Sequence, residues 1–202
     1  MPGTRKPRRG RGTVDARERV LSTAYNLFCH HGIRAVGVDA IIERSGVAKM
    51  SVYRHFRSKD DLVLAVLERR EQLWLRDWLQ AETCRRAEDP AGRLLAVFDV
   101  FDEWFRRYDF EGCFFINAML EFEDRGHRIY RESRRHLATV REFLRELAEQ
   151  AGVRDPEQFS HQWHILMKGS IVAAQEGDRE AARRAQQTGA LLLEQELART
   201  IA

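Results

Sequence analysis

The segment Ile41–Phe56 constrains the fold more than any other part of this 202-residue chain. Its apolar helical pattern is interrupted at Ser45-Gly46, and glycine is the residue that most often follows the end of a helix. The pattern therefore predicts one short helix over 38–45 and a second over 49–56. Helices of about two turns are unstable in isolation, so both must be held by neighbouring helices. Two short helices in this order are typical of a helix-turn-helix unit.

The second helix of the pair has one apolar face and one polar face. Val52 and Phe56 lie four residues apart, which puts both on the side that packs inward. The remaining side chains are polar, cationic or flexible: Lys49, Met50, Ser51, Tyr53, Arg54 and His55. Such a short helix fits the major groove of DNA, where base edges offer donors, acceptors and thymine methyl groups. We therefore predict that this helix reads DNA.

The rest of the chain is expected to be helical as well. Apolar residues at helical spacing, with only four prolines, predict an all-α fold of about nine helices. The first helix is expected from Val14 to His31 with Thr13 as its N-cap. The fourth is expected to follow Ser58 and to reach about Ala81 or beyond, which is long enough to enter a second helical region. Five more helices are predicted over about 90–108, 113–122, 127–150, 156–175 and 179–199.

Three parts follow along the chain: a disordered basic arm over 1–12, a helix-turn-helix domain over 13–60 and a larger helical domain over 61–202. The net charge is only +3, but its distribution is informative. The arm contains five basic residues and no acidic one: Arg5, Lys6, Arg8, Arg9 and Arg11. Such an arm can follow phosphates or enter a minor groove. The alternative is a solvated tail without DNA contacts.

Several classes of protein are excluded by the sequence. Cys29, Cys84 and Cys113 form no C-x-x-C pair, so neither a disulfide framework nor a zinc site is indicated. No nucleophile–base spacing, phosphate loop or metal-ligand set is present, so we expect no enzyme, no cofactor and no metal. No apolar stretch is long enough for a membrane span, and no signal peptide is recognised. We therefore expect a cytoplasmic protein that does not bind membranes.

A longer pattern surrounds the DNA-reading helix. It consists of Gly32-Ile33, then Val38-x-x-Ile41, then Ser45-Gly46-Val47, then Ser51-Val52-Tyr53-Arg54-His55-Phe56-Arg57-Ser58-Lys59-Asp60-x-Leu62. Over 13–62 the chain resembles the DNA-binding domain of the TetR family of bacterial transcriptional regulators. The resemblance covers about a quarter of the chain. It implies that 61–202 forms a helical domain for ligand binding and dimerisation.

The resemblance also implies a role for each DNA-facing position. Ser51, Tyr53, His55 and Lys59 fall where the family contacts phosphates, which fix register rather than sequence. Lys49 and Met50 fall where it meets base edges, and a lysine can donate to guanine while a methionine contacts a thymine methyl. We therefore expect Lys49, Met50, Ser51 and Arg54 to read the base sequence. The full set expected at DNA is Val38, Lys49, Met50, Ser51, Tyr53, Arg54, His55 and Lys59.

Three positions depart from the family's pattern. Gly37 lies in a stretch where a threonine-rich cap is usual, Ile42 where a small alanine is usual, and Met50 where glycine is common. These changes indicate operator preferences that differ from those of relatives. They leave the expected fold unaffected.

Aromatic residues are dense in the predicted second domain. Most of them are expected to fill the core, but an apolar cavity with a few polar groups is also how small-molecule sites are built. The candidate ligand-binding residues are Trp74, Trp78, Phe101, Trp104, Phe114, Asn117, Glu121, His136, Trp163, His164 and Met167. With one carboxylate, from Glu121, an aromatic pocket would suit a cationic lipophilic ligand.

The last two helices are the predicted dimer interface. The helix over 156–175 is apolar nearly all round, so it must be covered on more than one side. The candidate interface residues are Trp163, Met167, Ser170, Ile171, Ala174, Ala185, Thr188 and Leu192. Two copies would form a four-helix bundle across a two-fold axis. The alternative is a monomer whose last helix packs only on its own neighbour.

Together these features predict a homodimeric transcription regulator that binds double-stranded operator DNA. We expect a repressor that a small lipophilic molecule releases from a palindromic operator, because ligand binding tilts the fourth helix and misplaces the two reading helices. The alternative is an architectural or partner-regulated DNA-binding factor without a small-molecule inducer. A filled second domain would favour that alternative, and a cavity would favour the repressor.

Overall fold

The structure is a computed structural model that describes residues 15–201, with side chains described up to residue 198. The predicted arm over 1–12, the predicted cap Thr13 and the predicted first helical residue Val14 lie outside this range. Within it the fold is all-helical, as predicted, and comprises nine helices. Eight of them are α1 Ala16–His31, α2 Val38–Ser45, α3 Lys49–His55, α5 Pro90–Phe105, α6 Phe114–Leu120, α7 Arg128–Gln150, α8 Pro156–Gln175 and α9 Ala181–Ile201.

The remaining helix, α4, is the mechanical link between the two parts of the molecule. It runs without interruption through an α-helical stretch Lys59–Arg70, a π-helical stretch Glu71–Gln80 and a final α-helical turn Ala81–Arg86. It ends five residues beyond the predicted Ala81, because no helix breaker occurs before Ala87 takes up an extended conformation. The other predicted boundaries within the described range agree to within three residues.

Helix ends follow the capping chemistry of the sequence. The side chain of Asp15 accepts from the backbone N–H of Arg17, so α1 begins at Ala16, two residues later than predicted. Gly46 ends α2 in the left-handed region, with φ of 61°, and its N–H donates to the carbonyls of Ile42 and Glu43. This turn sets the angle between α2 and α3.

The first three helices enclose a small apolar core. From α1 it receives Val20, Leu21, Ala24, Leu27 and Phe28, all buried. Ile41 of α2 and Val52 of α3 are nearly inaccessible to solvent and pack into the same cluster, with Phe56 just after α3. The apolar residues predicted to anchor the short helices therefore hold them in place, and the polar face of α3 is left outside.

The second part is a bundle in which α7 packs against α4, α5, α6 and α8, while α9 packs on α5 and α8. The helices α8 and α9 approach closely at Gly189, where an added Cβ would lie 2.9 Å from the Trp163 ring. None of the helices described here is long and apolar enough to cross a membrane. Among the residues that the structure describes, no group of three or more potential ligands could hold a metal ion.

Candidate DNA-binding surface and domain-junction cavity

The polar face of α3 is exposed. Met50 is 79% exposed and Tyr53 is 40% exposed, although both are large side chains that would normally be covered. Lys49, Arg54 and His55 are exposed as well, and Ser51 is half-buried. Six of the eight residues predicted at DNA thus form one accessible surface on a single short helix.

The other two predicted DNA residues flank this helix. Val38 is half-buried at the start of α2, and Lys59 is half-buried at the start of α4. The hydroxyl of Ser58 accepts from the N–H of Asp61 at 3.1 Å and fixes the beginning of α4. Burial lowers the pKa of the Lys59 ammonium, and the nearby carboxylates of Glu121 and Asp60 oppose that shift.

Two of the base-facing candidates make contacts within the chain. The Lys49 ammonium lies 3.3 Å from the Asp39 carboxylate of α2, and the Arg54 guanidinium donates to the hydroxyl of Ser51 at 3.1 Å. These are exposed contacts of small energy, so a phosphate or a base edge can replace them. Asp39 was not predicted in this surface, because its proximity to Lys49 depends on the angle between α2 and α3.

Glu121 joins α6 to the DNA-binding part of the chain. Its carboxylate accepts from the backbone N–H of Ile33 at 2.9 Å and from that of Arg34 at 2.7 Å, in the loop that follows α1. The prediction that Glu121 lines a ligand pocket is therefore wrong. Its oxygens are occupied by two backbone donors, a type of partner that spacing along the sequence cannot reveal.

A second junction lies between α4 and α1. Arg69 donates to the Glu18 carboxylate and, at 3.0 Å, to the Ser22 hydroxyl. The hydrogen bond from Arg69 holds the pKa of Glu18 below its ordinary value of 4.5. The next residue, Arg70, donates to the phenol oxygen of Tyr25 at 2.5 Å. Two consecutive arginines of α4 thus hold the helix that supports the DNA-binding core.

A cavity of about 270 Å³ lies at this junction. One wall comes from α1, and the others come from α4, the end of α5, the loop after it, and α6. It is lined by Tyr25, Asn26, Cys29, His30, Arg70, Leu73, Trp74, Trp78, Trp104, Arg107, Asp109, Glu111, Gly112, Phe114 and Asn117. Five of the predicted ligand-binding residues are in this lining. The four residues of α1 were not predicted.

Aromatic rings form the inner side of the cavity. Trp104 lies edge-on to Trp74 and Trp78, with ring centroids 5.5 and 5.8 Å apart. The thiol of Cys29 faces the same space, and burial raises its pKa to about 11, so it stays protonated and unreactive at neutral pH. The inner wall is therefore aromatic, with its rings tilted or edge-on to one another.

Ionic groups form the outer side of the cavity. Arg107 donates two parallel hydrogen bonds to Asp109, at 2.8 and 2.7 Å, and thereby lowers the pKa of that carboxyl. A carboxylate oxygen of Glu111 lies 3.3 Å from Nε2 of His30. Both carboxylates of the lining already contact a basic side chain.

Five other predicted ligand-binding residues lie away from this cavity. Phe101 is fully buried against Trp74 and Trp104. Trp163 is fully buried between Phe98 and Phe159. These two positions correct the prediction, because aromatic residues at helical spacing fill the core before they line a cavity.

His136 lies outside the lining of the junction cavity and contacts a buried carboxylate. Its Nδ1 contacts the Glu71 carboxylate at the start of the π-helical stretch, and its ring stacks on Phe115 at 5.1 Å. Burial favours the neutral form of Glu71, but hydrogen bonds from His136 and Arg76 outweigh it and hold the pKa of Glu71 below 4.5. The contact fixes α7 to α4.

His164 and Met167 face a space of only about 10 Å³, between α4, α6, α7 and α8. That volume is at most enough for one water molecule. Burial, together with the nearby cations Lys168 and Arg141, lowers the pKa of His164 to about 3, so the imidazole is neutral. The interior of the second domain is therefore filled, and the room for a ligand lies at the domain junction.

The predicted dimer residues divide into two groups. Trp163, Met167, Ser170, Ile171 and Ala185 are buried within the single chain and cannot form a contact surface, which corrects that part of the prediction. Ala174 and Leu192 are half-buried, and Thr188 is exposed. Among the residues whose side chains are described, α8 and α9 expose three large apolar ones, Ile165, Val172 and Leu191. The sequence could not separate the two sides of α8, because both are apolar.

Comparison with known proteins agrees with the two-part organisation. Residues 20–66 match the family described as bacterial regulatory proteins, tetR family. Residues 90–188 match the family described as Tetracyclin repressor-like, C-terminal domain. The first match contains the helix-turn-helix, and the second contains the helices from α5 to the first half of α9.

Individual relatives are regulators of transcription. The chain is 26% identical over 158 residues to the HTH-type transcriptional regulator YjdC of Escherichia coli, covering 77% of this chain and 81% of YjdC. It is 36% identical over 110 residues to the HTH-type transcriptional activator FasR of Mycolicibacterium smegmatis, covering 54% of this chain and 47% of FasR. The crystal structure of SCO4454, a TetR-family transcriptional regulator from Streptomyces coelicolor, superposes with a TM-score of 0.82 at 29% identity, covering 90% of this chain and 89% of SCO4454.

Proposed function

The chain belongs to the TetR family of bacterial DNA-binding transcriptional regulators, which are not enzymes, and we propose that it is a repressor that a small molecule releases from its operator. One observation carries the proposal. A cavity of about 270 Å³ has α1 of the DNA-binding part as one wall and the helices of the second part as the others. A ligand there would contact both parts at once, so its binding free energy can change their relative position.

The DNA contacts of the proposed repressor are made by α3 and its flanks. Tyr53, His55 and Lys59 bind phosphates, and Val38 contacts DNA at the edge of the surface. Lys49, Met50, Ser51 and Arg54 meet base edges. The exposure of the Lys49, Met50, Tyr53, Arg54 and His55 side chains, with Val52 and Phe56 buried behind them, supports this surface.

The repressor acts as a homodimer through the outer sides of α8 and α9. Ile165 is 66% exposed and Leu191 is 69% exposed, and Gly169, Val172 and Thr188 add small or apolar surface nearby in sequence. A two-fold axis through this face would pair α8 and α9 of two chains. Two reading helices about 34–36 Å apart would then meet a palindromic operator.

The domain organisation proposed for this mechanism is a basic arm over 1–12, a DNA-binding domain over 13–60 and an effector and dimerisation domain over 61–202. The arm adds phosphate contacts beyond the helix-turn-helix. As a regulator bound to the chromosome, the protein works in the cytoplasm.

Release follows from the position of the cavity. A ligand between α1 and α4 favours a state in which the two helices have moved apart, so the spacing of the reading helices no longer fits the operator. By linkage, operator DNA must weaken the ligand by the same factor. Independent affinities for ligand and operator would exclude this mechanism.

The competing function is an architectural or partner-regulated DNA-binding factor without a small-molecule inducer. The filled interior of the second domain, with a space of only about 10 Å³ between α4, α6, α7 and α8, favours it. The junction cavity favours ligand control, since its apolar inner wall and polar rim are typical of ligand sites. A larger depression of about 520 Å³ near Arg154 and Glu196 has a mainly polar and charged lining and offers little apolar surface.

The test begins with selection of bound sequences from random DNA at a fixed, stated salt concentration. We expect a palindrome bound by one or more dimers. A reporter gene placed behind that sequence then gives the sign of control: expression should fall when the protein is present, whereas a rise would make it an activator, as FasR is named. Small molecules that quench tryptophan fluorescence should release the selected DNA.

A further inference from the structure

We propose that the effector is an aromatic carboxylate whose anionic group binds Arg70 in exchange for the hydrogen bond that Arg70 donates to Tyr25. The inference rests on the proposed function, because it names the chemistry of the ligand for the same cavity. It replaces the cationic ligand predicted from the sequence, which depended on Glu121.

The charged side chains that line the cavity differ in the partners that they contact. Asp109 is held by two hydrogen bonds from Arg107, and Glu111 lies against His30. Among the described residues, no carboxylate oxygen lies within 4 Å of the Arg70 guanidinium. Arg70 is therefore a charged side chain of this lining with no oppositely charged group in contact.

The position of the Arg70 guanidinium allows it to bind an anionic counter-ion. It is half-buried, its Nη1 donates to the Tyr25 hydroxyl at 2.5 Å, and its carbon lies 5.9 Å from the centre of the Tyr25 ring. A guanidinium has five N–H donors, and its planar fork matches the two oxygens of a carboxylate. A phenol oxygen satisfies only one of those donors, so a ligand carboxylate is the better partner.

The opposite wall selects the rest of the ligand. Trp74, Trp78, Trp104 and Phe114 present ring faces and edges, and flat aromatic groups pack on such surfaces in offset or edge-on geometry. A volume of about 270 Å³ lies near the lower end of ligand cavities, so a compound of one or two fused rings fits better than a larger one. Asn26 and Asn117 can hydrogen-bond polar substituents.

A cationic ligand is disfavoured by the same geometry. A cation would have to displace Arg107 from Asp109 or His30 from Glu111, and it would face the positive charge of Arg70. Glu121, the carboxylate that the sequence suggested for this role, is held by the backbone N–H groups of Ile33 and Arg34. The Arg70 guanidinium is thus available to an anionic group, whereas both carboxylates of the lining already have a partner within the chain.

The exchange at Arg70 also explains how the ligand would act. The hydrogen bond from Arg70 to Tyr25 joins α4 to α1, beside the bonds from Arg69 to Glu18 and Ser22. A carboxylate that binds Nη1, the atom that donates to Tyr25, competes with the phenol oxygen and removes one of these junction contacts. Helix α4 is then freer to move relative to the DNA-binding core, which is the movement that release requires.

The experiment compares three probes of one shape and different charge: 2-naphthoate, 2-naphthamide and 2-naphthylmethylammonium. Binding is followed by tryptophan fluorescence, because Trp74, Trp78 and Trp104 line the cavity while Trp163 lies elsewhere in the core. We expect the full-length protein to bind 2-naphthoate at least about tenfold more tightly than the neutral amide. R70Q should abolish that preference, and R70K, without the planar fork, should retain only part of it.

Two further variants separate a binding role from a structural one. Y25F removes the hydroxyl group that competes for Arg70 but keeps the aromatic ring. This variant should therefore bind 2-naphthoate about two- to tenfold more tightly than the wild type does. A merely structural role for the Arg70–Tyr25 pair would give equal or weaker binding. R85Q, which changes an exposed arginine of α4 outside the cavity, should bind like the wild type, and thermal unfolding of every variant checks its folding.

Tighter binding of the ammonium probe, equal binding of all three probes, or no binding of 2-naphthoate at its solubility limit would overturn the proposal. Unchanged charge preference in a folded R70Q would overturn it as well. The proposed function is judged separately on operator DNA in the same samples. If a neutral or cationic probe released the operator, ligand control would stand and the anionic effector would be excluded. If 2-naphthoate bound through Arg70 without changing operator affinity, ligand control would be excluded.

Discussion

The Glu121 carboxylate packs closely against the backbone of Gly32, where a Cβ atom would lie only 3.2 Å from Oε1 of Glu121. The glycine also has a φ of 81°, in the left-handed region that other residues adopt only at a cost. Both features bring the backbone N–H groups of Ile33 and Arg34 within reach of Glu121. One contact therefore ties α6, beside the cavity, to the loop between α1 and α2.

The first prediction concerns the charge of Glu121. Glu121→Gln keeps the shape, but it replaces one accepting oxygen with an N–H₂ group that faces a backbone donor. We expect a loss of about 1–2 kcal/mol in the free energy of unfolding, measured with urea, because charge-assisted hydrogen bonds to a partly exposed group are lost. The effector should also release the operator less completely. Glu123→Gln, at an exposed neighbouring position, is the control and should leave both properties unchanged.

The second prediction concerns the backbone of Gly32. Gly32→Ala should destabilise the protein by about 1–2 kcal/mol, since the alanine is strained at positive φ and its methyl group crowds Glu121. The matched control is Gly37→Ala, because Gly37 has a φ of −78° and no heavy atom lies within 4 Å of an added Cβ. Thermal or urea unfolding of the two variants compares them directly. Equal losses would show that the junction at Glu121 does not depend on Gly32.

Local features of the sequence were sufficient to predict the DNA-binding surface. Ser45-Gly46 marks the turn, and the spacing of Val52 and Phe56 fixes which side of α3 faces inward, so the exposed face follows without tertiary information. The contact between Lys49 and Asp39 could not be predicted, since it depends on how two helices cross.

The cavity and the dimer face were less predictable, for a physical reason. Tryptophans of α4 and α5 indicated an aromatic site, but nothing near Tyr25 or His30 in the sequence shows that α1 closes its other side. Glu121 has a spacing that suits a pocket, yet its partners are backbone groups, which every residue carries. Ile165 and Trp163 are both apolar positions of α8, and only packing distinguishes the exposed one from the buried one.

The third prediction distinguishes side chains that recognise bases from those that bind phosphates. Lys49→Ala should lower affinity for the selected operator by about 1–3 kcal/mol, relax the base preference at one position and leave binding to random DNA almost unchanged. Tyr53→Phe should weaken all DNA sites alike, because a phosphate contact carries no sequence information. Fluorescence anisotropy on operator and random duplexes at one salt concentration measures both. Parallel losses in the two variants on the two duplexes would contradict the assigned roles.

The fourth prediction is a pH dependence of stability caused by His164. Burial depresses the folded-state pKa of His164 from 6.5 to about 3, so the unfolded chain binds a proton that the folded chain excludes. Its contribution to stability is complete above pH 6.5 and is lost as the pH falls toward 3. Between pH 7 and pH 5 the loss should be about 2 kcal/mol. His164→Gln should not show this loss of unfolding free energy between pH 7 and pH 5, and urea unfolding at both pH values measures it. The same loss in the variant and the wild type would mean that His164 is already charged in the folded protein.

The fifth prediction concerns the face through which two chains associate. Ile165 and Leu191 are exposed apolar residues on α8 and α9. In a dimer that forms through this face, a carboxylate at either position would be buried without a partner, which is costly. In the folded monomer the same carboxylate would be exposed and therefore tolerated. Ile165→Glu and Leu191→Glu should therefore shift the sedimentation coefficient from dimer to monomer and abolish tight operator binding. Leu120→Glu, at a position 71% exposed at the end of α6, is the control and should leave the dimer intact. A dimer that survives both substitutions on α8 and α9 would have to use another surface, and its reading helices would then be spaced by a different two-fold axis.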